Sequence, residues 1–340
     1  MQRRNFLKNA TALSAGGMLS ATHSLEPAPS QQPKKIGIQI YSIRRELQKD
    51  MIGPLKALKD IGFTHVELYG YEQKDKKGSV LGYSLKDYRK LLQDVGLEAT
   101  SSHLEPPLKS LYKFGDGGGT GKGERSIQIE RYTKQNAGTI IEFWKRALAD
   151  HHDLGVNVLV QPAMPIVTNL DDAKWVCEIF NQTGELARQA NMRWGYHNHS
   201  AEFKRIGAKR GEDWSPEMTI TKATYPTEIF YDFLLTHTEP SLVFFEMDVY
   251  WAVMGQCDPV TYFNRYPGRF AQLHIKDRDI LGSTGFMNFE NIFTVGYSTG
   301  GLERYYAELE YPGTVSGASA TQLQAVRQSY EYLAKSLFVK

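Results

Sequence analysis

From Ile36 onward the chain alternates between short apolar runs and longer segments in which apolar side chains recur every three or four residues. Such runs are typical of buried strands, and such segments are typical of amphipathic helices. A unit of helix, closing Gly and strand recurs as LKALKDIGFTHVELYG, YRKLLQDVGLEATSSH and WKRALADHHDLGVNVLVQPA, and with Asn as the closing residue in ELARQANMRWGYHNH. Gly62, Gly96, Gly155 and Asn191 thus fit the left-handed position after a helix, which Gly and Asn adopt at low cost.

The same pattern predicts eight strands. They are Ile36–Tyr41, His65–Tyr69, Glu98–Ser102, Asn157–Gln161, Arg193–His197, Leu242–Asp248, Phe270–His274 and Arg304–Glu308. Strands that alternate with helices favour a parallel sheet covered by helices, and eight of them match a closed (β/α)8 TIM barrel, an α/β fold. A doubly wound open sheet usually has a glycine-rich phosphate turn after its first strand, whereas SIRREL follows here, which argues against a nucleotide cofactor.

The stretch from Leu242 to Asp279 predicts one complete βαβ unit. Its strands are Leu242–Tyr250 and Phe270–Lys276, and Asp258 with Pro259 marks the start of the helix between them. Each strand is apolar until its C-terminal end, where it becomes polar. In α/β proteins that end is where ligands bind.

Two segments interrupt the regular alternation of helices and strands and are predicted to cover the mouth of the barrel. Residues 106–135 contain GDGGGTGKG, which lacks the GK[ST] ending of a phosphate-binding loop and therefore predicts a lid or an extended loop. Residues 203–227 form the second insertion. Apart from these segments, residues 36–340 are predicted to form a single barrel domain.

Composition and charge argue against several classes of protein. The 340 residues are 41% apolar and 12% aromatic, enough for a sizeable core. The net charge is +2 and no Lys/Arg run has interleaved aromatics, so nucleic acid and anionic membranes are poor partners. Cys177 and Cys257 lack CxxC spacing, which argues against a disulfide scaffold and a structural zinc site.

Residues 1–24 are predicted to be a leader outside the fold. Arg3 and Arg4, followed by a modest apolar stretch up to Ala21, resemble a twin-arginine export signal. That stretch is too short for a membrane anchor, and residues 25–35 are predicted to be a Pro/Gln linker. The sequence therefore predicts a mature periplasmic protein that is not held at a membrane.

Polar side chains gather at the predicted strand ends and are the main functional signal. They include Gln39, Tyr41, Glu67, Tyr69, His103, Glu105, Gln161, His197, Asn198, His199, Glu202, Glu246, Asp248, Trp251, His274, Lys276 and Glu308. Burying an unpaired carboxylate costs on the order of several kcal/mol, so such a set is expected only where it binds something. Carboxylates and imidazoles together suit one divalent ion, Mn²⁺, Zn²⁺, Co²⁺ or Fe²⁺, better than Ca²⁺.

Four runs, FEMDVYWAVMGQCDP, GRFAQLHIKD, GYHNHSAEF and YYAELEYP, resemble the sugar phosphate isomerase/epimerase family of xylose-isomerase-like TIM barrels. The resemblance covers residues 36–340 and depends on the motifs in combination. It implies one divalent metal ion at the C-terminal mouth, with Asp248, His274 and Glu308 as ligands from the sixth to eighth strands.

The fifth strand departs from the family's pattern, because the expected Glu ligand is absent. His197 stands at about that place, with His199 and Glu202 as alternatives. If Glu202 is not a ligand, we expect it to bind a substrate hydroxyl.

The resemblance implies proton abstraction next to a sugar carbonyl, through an enediolate stabilised by the metal ion. Glu308 is the first candidate for the base, and His103 or His197 for its counterpart. The side chains expected to bind substrate are Tyr41, Glu67, Gln161, Glu202, Trp251 and Lys276. For Lys276 the alternative is a solvated charge at a helix start.

Such chemistry indicates an isomerase or epimerase acting on a small sugar or glycoside. Two alternatives stay open: a lyase that cleaves 3-keto-glycosides by elimination, which the predicted export favours, and a non-catalytic exported sugar-binding protein. The DNA-repair endonucleases of the superfamily need several zinc ions and a basic surface, which the sequence does not show. Association into a homo-oligomer is left open.

Overall fold

The computed structural model describes residues 34–74, 77–108, 129–207, 227–309 and 321–340. Eight parallel strands, β1 to β8, close into a barrel in the order of the chain. They are β1 Gly37–Gln39, β2 His65–Leu68, β3 Glu98–His103, β4 Val158–Gln161, β5 Arg193–His197, β6 Val243–Asp248, β7 Gln272–Ile275 and β8 Arg304–Ala307. Strand β1 pairs with both β2 and β8, which closes the cylinder. The predicted TIM barrel is confirmed, and each predicted strand overlaps an observed one.

Helices connect the strands and cover the outside of the barrel. The α-helices of six residues or more are α1 Ile52–Ile61, α2 Leu85–Val95, α3 Ala137–Leu154, α4 Leu170–Gln189, α5 Phe230–His237, α6 Val249–Met254, α7 Pro259–Arg265, α8 Phe289–Val295 and α9 Gln322–Lys335. Trp144 of α3 and Phe180 of α4 both pack on the outward-facing Trp194 of β5. The main core thus lies between the helices and the barrel wall, while the barrel interior has a small apolar layer formed by Val158, Val160, Phe244 and Ala271.

The predicted helix ends are confirmed by the backbone. Gly62, Gly96, Gly155 and Asn191 have φ angles of +122°, +78°, +88° and +54°. A residue with a Cβ is strained in this region, Asn less than most, so these four residues fix where each helix turns back toward the sheet.

Strand β6 ends earlier than the predicted Tyr250. Asp248 Oδ1 accepts a hydrogen bond from the backbone N–H of Trp251 at 2.8 Å, and this cap starts α6, a helix that the sequence did not predict. The following helix, α7, begins as predicted, with Asp258 as the N-cap and Pro259 in the first turn.

The register of the strands decides which polar side chains meet. Glu246 lies opposite His197 of β5 and Gln272 of β7, and Asp248 lies opposite His274 of β7. Side chains alternate along a strand, so residues 246, 248, 272 and 274 face the barrel interior together with His197.

A three-stranded antiparallel sheet after β2 was not predicted. Its strands are Tyr71–Lys74, Lys77–Val80 and Tyr83–Ser84. Most of the insertions at 106–135 and 203–227 lies outside the described residues. At the flanks of the second insertion, Arg205–Gly207 and Thr227–Ile229 pair as antiparallel strands.

The predicted leader, residues 1–24, and most of the linker at 25–35 also lie outside the described residues. Within the ranges given above, no helix has the length and apolar content needed to cross a bilayer.

Candidate active site

Five side chains from five strands meet inside the barrel and form what we term the inner cluster. They are Glu67 of β2, His103 of β3, His197 of β5, Glu246 of β6 and His274 of β7. His103 Nε2 lies 2.7 Å from Glu246 Oε2 and 3.2 Å from Glu67 Oε2. His274 Nε2 lies 2.6 Å from Glu67 Oε2 and 3.2 Å from Glu246 Oε2. His197 Nδ1 approaches the same oxygen of Glu246 at 3.2 Å.

Burial and mutual charge set the protonation of the inner cluster. Burial alone would raise the pKa of Glu67, but His103 and His274 bring it below its ordinary value. Burial raises the pKa of Glu246, with Glu67 adding to the effect. Burial lowers the pKa of His197 well below its ordinary value, so this imidazole is neutral. A neutral imidazole has a lone pair for a metal ion.

Three further side chains lie closer to the C-terminal mouth and form what we term the outer cluster: Asp248, Lys276 and Glu308. Lys276 Nζ lies 3.2 Å from Glu308 Oε2 and 3.7 Å from Asp248 Oδ2. The ammonium also lies 5.1 Å from the ring centre of Trp251. His274 joins the two clusters, because its Nδ1 lies 3.0 Å from Glu308 Oε2.

The two outer carboxylates differ in acidity. Burial raises the pKa of Asp248 to about 7. Burial would also raise the pKa of Glu308, but Lys276 and His274 hold it well below its ordinary value. Two carboxyl groups whose pKa values are driven apart can serve as proton donor and proton acceptor.

Two sets of donor atoms could hold a divalent metal ion. One is His103, His197, Glu246 and His274, and the other is Asp248, His274 and Glu308; within each set the donor atoms lie within 4.8 Å of one another. Glu246 Oε1 and Asp248 Oδ2 are buried and have no hydrogen-bond partner among the described residues. Imidazole nitrogens with carboxylate oxygens suit Mn²⁺, Fe²⁺, Co²⁺ or Zn²⁺. The residues present therefore fit such an ion.

The structure brings together six of the side chains that the sequence singled out: Asp248, His274, Glu308, His197, His103 and Lys276. Trp251 lies beside Lys276. Tyr41 is half-buried after β1, packed edge-on against Tyr69 with ring centres 5.2 Å apart.

Glu67 does not have the place expected of a substrate ligand. Its side chain is fully buried, and its oxygens accept hydrogen bonds from Gln39 at 2.9 Å and from Ser101 at 2.6 Å, in addition to the contact with His274. Glu67 thus makes its hydrogen bonds within the barrel, to Gln39, Ser101 and His274.

Glu202 and Gln161, which the sequence predicted to bind substrate, are buried and make hydrogen bonds within the protein. Glu202 accepts a hydrogen bond from the hydroxyl of Tyr196, which faces away from the barrel interior because it alternates with His197. Gln161 follows the inward-facing Val160 and accepts a hydrogen bond from Tyr132 at 3.1 Å. Neither side chain joins the donor sets.

His199 also lies outside both donor sets. Its backbone N–H donates to Glu202 Oε2 at 3.0 Å, and its ring centre is 5.1 Å from that of His197 and 5.9 Å from that of Trp251. Of the three fifth-strand candidates, His197 is the one placed among the donor atoms.

Glu246 was named among the polar strand ends but given no role in the site, although it is central to the inner cluster. The available signal was its spacing: Glu246 and Asp248 are two residues apart on a predicted strand, so both must face the same side.

Comparison with solved structures finds close relatives. A sugar phosphate isomerase/epimerase from Parabacteroides distasonis is 41% identical, with a TM-score of 0.76 over 92% of this chain and 98% of that one. A second sugar phosphate isomerase/epimerase from that organism is 38% identical, with a TM-score of 0.75 over 90% of this chain and all of that one. D-Psicose 3-epimerase from Clostridium cellulolyticum is 13% identical with a TM-score of 0.60 over 90% of this chain and 99% of that one, and shares the fold. No family model and no curated protein matches the chain.

Proposed function

The chain belongs to the sugar phosphate isomerase/epimerase family, and from this premise we propose that it is a divalent-metal-dependent isomerase or epimerase that moves a proton next to a sugar carbonyl. The observation that carries the proposal is the convergence of the inner and outer clusters on His274 at the C-terminal mouth of the barrel. This rim is where TIM-barrel enzymes have their active sites.

The outer cluster supplies the groups that move the proton. Glu308 is ionised and stands nearest to solvent of the three, with 10% of its side chain exposed, so it can accept a proton from a substrate carbon. The electron pair of the broken C–H bond moves to the carbonyl oxygen, which gives an enediolate. Asp248, with a pKa of about 7, can hold the proton that is returned.

Lys276 is positioned to stabilise negative charge on the substrate. Its ammonium is fixed between two carboxylates and above Trp251, so it needs little rearrangement to meet a developing oxyanion. A bound divalent ion would act as a Lewis acid toward a substrate oxygen. The two donor sets described above are the residues that would hold it.

The fate of the proton determines the reaction. Return to the same carbon from the other side gives epimerisation, and return to the neighbouring carbon gives isomerisation. Loss of a leaving group from the carbon next to the enediolate gives elimination, the lyase reaction on a 3-keto-glycoside. All three begin with the same removal of a proton.

Proton exchange with solvent tests the proposal. Protein loaded with Mn²⁺ or Co²⁺ is incubated in D₂O with free ketoses, their phosphates and 3-keto-glycosides, and deuterium beside the carbonyl is measured by NMR. We expect exchange with at least one class, its loss in EDTA and its recovery when metal is restored. Product analysis then separates epimer, isomer and elimination product.

The matched variants are Glu308→Gln and Glu303→Gln. Glu303 stands at the other end of β8, 55% exposed and paired with Arg193 on the surface. We expect Glu308→Gln to lower the exchange rate by roughly 10²–10⁴-fold and Glu303→Gln to leave it unchanged. Absence of exchange throughout the panel would point to the non-catalytic sugar-binding protein instead. Unchanged exchange in Glu308→Gln would remove this residue from the role of base.

We also propose, from residues 1–24 alone, that the protein is exported by the twin-arginine route and meets its sugar in the periplasm. Replacing Arg3 and Arg4 by Lys should retain the protein in the cytoplasm, as measured by fractionation of bacterial cells. Unchanged export of that variant would contradict the proposal.

A further inference from the structure

His274 lies between the inner and outer clusters, and each nitrogen of its ring faces a different carboxylate. Nδ1 lies 3.0 Å from Glu308 Oε2 in the outer cluster, and Nε2 lies 2.6 Å from Glu67 Oε2 in the inner cluster. The side chain of His274 is fully buried, so both nitrogens must find their partners in the protein or in a bound ligand. The contact that one nitrogen makes with Glu67 therefore affects what the other nitrogen can bind.

The two nitrogens of an imidazole are linked through its proton. A neutral histidine carries the proton on one nitrogen and a lone pair on the other, whereas an ionised carboxylate accepts hydrogen bonds and donates none. Glu67 therefore favours the form of His274 that has its proton on Nε2. The lone pair then lies on Nδ1, which faces the outer cluster.

The outer cluster has the other donor atoms that a divalent ion needs. Asp248, His274 and Glu308 each offer one donor atom, and these atoms lie within 4.8 Å of one another. Asp248 Oδ1 accepts a hydrogen bond from the backbone N–H of Trp251, whereas Asp248 Oδ2 is buried and has no hydrogen-bond partner among the described residues. These are the three ligands that the family resemblance implied.

Glu67 is held in place by the neighbouring strands of the barrel wall. In the strand register, Gln39 of β1 and Ser101 of β3 both lie opposite Glu67 of β2. Gln39 donates a hydrogen bond to Glu67 Oε2 at 2.9 Å, and the hydroxyl of Ser101 donates to Glu67 Oε1 at 2.6 Å. The orientation of the carboxylate is thus fixed by the fold, as is required of a group that orients another side chain.

Glu246 is the other carboxylate near His274, but its closest contact is with a different histidine. Glu246 Oε2 lies 3.2 Å from His274 Nε2, compared with 2.6 Å for Glu67 Oε2. The same oxygen of Glu246 lies 2.7 Å from His103 Nε2. The nearest carboxylate to His274 Nε2 is therefore that of Glu67.

We propose that Glu67 is a positioning residue of the metal centre: it accepts the Nε2–H of His274 and so directs Nδ1 toward a divalent ion in the outer cluster. The inference deepens the proposed function, because it rests on the metal requirement stated there. In this arrangement Glu67 contacts neither the ion nor the substrate and acts through His274. A carboxylate often orients a metal-binding histidine in this way, and loss of such a partner typically weakens metal binding by about 10–100-fold.

The nitrogen that binds the ion can be identified in the wild-type protein. EDTA-treated full-length protein labelled with ¹⁵N-histidine is loaded with ¹¹³Cd²⁺, whose nuclear spin couples to a directly bonded nitrogen. The signals of His274 are those missing from the spectrum of metal-free His274→Gln. We expect coupling to Nδ1 and a proton on Nε2. Coupling to Nε2 would overturn the inference, because the nitrogen that faces Glu67 would then be the ligand.

Variants of Glu67 test whether its carboxylate strengthens metal binding. Glu67→Gln removes the charge but can keep an oxygen that accepts from His274, whereas Glu67→Leu removes the acceptor as well. The dissociation constant of Co²⁺, measured by titration calorimetry, should rise by about 10-fold in Glu67→Gln and by about 100-fold in Glu67→Leu. The visible absorption of bound Co²⁺ should change in both variants, since it reports on the geometry of the ligands.

The matched control is Glu202→Gln. Glu202 is also a buried carboxylate, with hydrogen bonds from the hydroxyl of Tyr196 and the backbone N–H of His199, but it lies outside both donor sets. Its replacement should change the dissociation constant of Co²⁺ less than threefold. Thermal unfolding in EDTA identifies any variant that has failed to fold, and the NMR measurement on the wild-type protein then decides.

Unchanged Co²⁺ affinity in the folded Glu67 variants would overturn the inference. An equal loss of affinity in Glu202→Gln would also overturn it, because the effect would then follow from removing any buried carboxylate. In both cases metal-dependent proton exchange by the wild-type protein would still support the proposed function. If the wild-type protein binds neither Co²⁺ nor Cd²⁺, the inference fails together with the metal requirement, and proton exchange without metal decides whether catalysis remains.

Discussion

Replacing Lys276 by Met tests whether its ammonium is needed to hold two buried carboxylates together. The side chain of Lys276 is 3% exposed, that of Asp248 is fully buried and that of Glu308 is 10% exposed. Met keeps most of the apolar stem of the side chain but removes the ammonium, which lies 5.1 Å from the ring centre of Trp251. The variant therefore leaves the outer carboxylates without their cation while the packing changes little.

The distances give the size of the effect. At an effective dielectric constant of about 20, attractions at 3.2 Å and 3.7 Å are worth about 5 and about 4.5 kcal/mol before desolvation is counted. Removing one partner from a buried ionic group costs about 3–5 kcal/mol in net stability. For a chain of this size we expect the melting temperature to fall by roughly 4–7 °C.

Urea unfolding of EDTA-treated protein measures the loss. The double variant Lys276→Met/Glu308→Gln should lose less stability than the sum of the two single variants, by at least about 1 kcal/mol, because it removes the charge left unpaired. Lys335→Met is the matched control: this lysine is 79% exposed and lies 3.6 Å from Glu331 on α9. Its loss should cost less than about 1 kcal/mol.

Two results would refute this reasoning. One is a loss in Lys276→Met that is no larger than in Lys335→Met. The other is strict additivity of Lys276→Met and Glu308→Gln, which would mean that the two side chains do not interact in solution.

Three further predictions concern the fold around the site. Gly195→Ala places a Cβ 2.6 Å from the ring of Phe244 inside the barrel and should lower the free energy of unfolding in urea by about 1–3 kcal/mol. The control Gly138→Ala, in open space on α3, should leave that free energy unchanged or raise it. Equal effects of the two substitutions would contradict the packing seen around Gly195. Burial lowers the pKa of His151 to about 4. Below pH 6.5 this histidine therefore binds a proton in the unfolded state but not in the folded state, and the free energy of unfolding falls as the pH drops from 6.5 to 4. His151→Gln should reduce this fall by up to about 3 kcal/mol, and an unchanged pH profile would be evidence against it. Burial raises the pKa of the Cys177 thiol to about 12, so iodoacetamide at pH 8 should modify it at least about 100-fold more slowly in the folded protein than in urea, as mass spectrometry can measure.

The barrel could be predicted from the sequence because its signals are local. A strand is recognisable from a short apolar run, and a helix end from a single residue such as Gly96 or Asn191 in the left-handed region. Eight repeats of this unit leave few arrangements other than a closed cylinder. The sheet of Tyr71–Lys74, Lys77–Val80 and Tyr83–Ser84 escaped prediction because its strands are short and mostly polar.

Part of the candidate site could also be predicted from local features of the sequence. Asp248, His274 and Glu308 stand at strand ends, and the parallel strands of a barrel bring those ends to one rim. For Gln161 and Glu202 the sequence did not reveal the hydrogen bonds to Tyr132 and Tyr196 that the structure shows. Whether a residue at a strand end faces inward depends on which alternate positions of the strand face the barrel interior and on how the following loop bends. A short run of residues defines neither of these.

The sequence by itself determined the order of strands and helices, the barrel and the rim at which the polar groups gather, since these follow from periodicity and from backbone preferences of single residues. Only the tertiary structure decided that Glu67 and Glu246 share two histidines and that Lys276 neutralises Asp248 and Glu308. The reason is that such contacts join residues up to 207 positions apart. They depend on the register and closure of the whole barrel, to which every strand contributes.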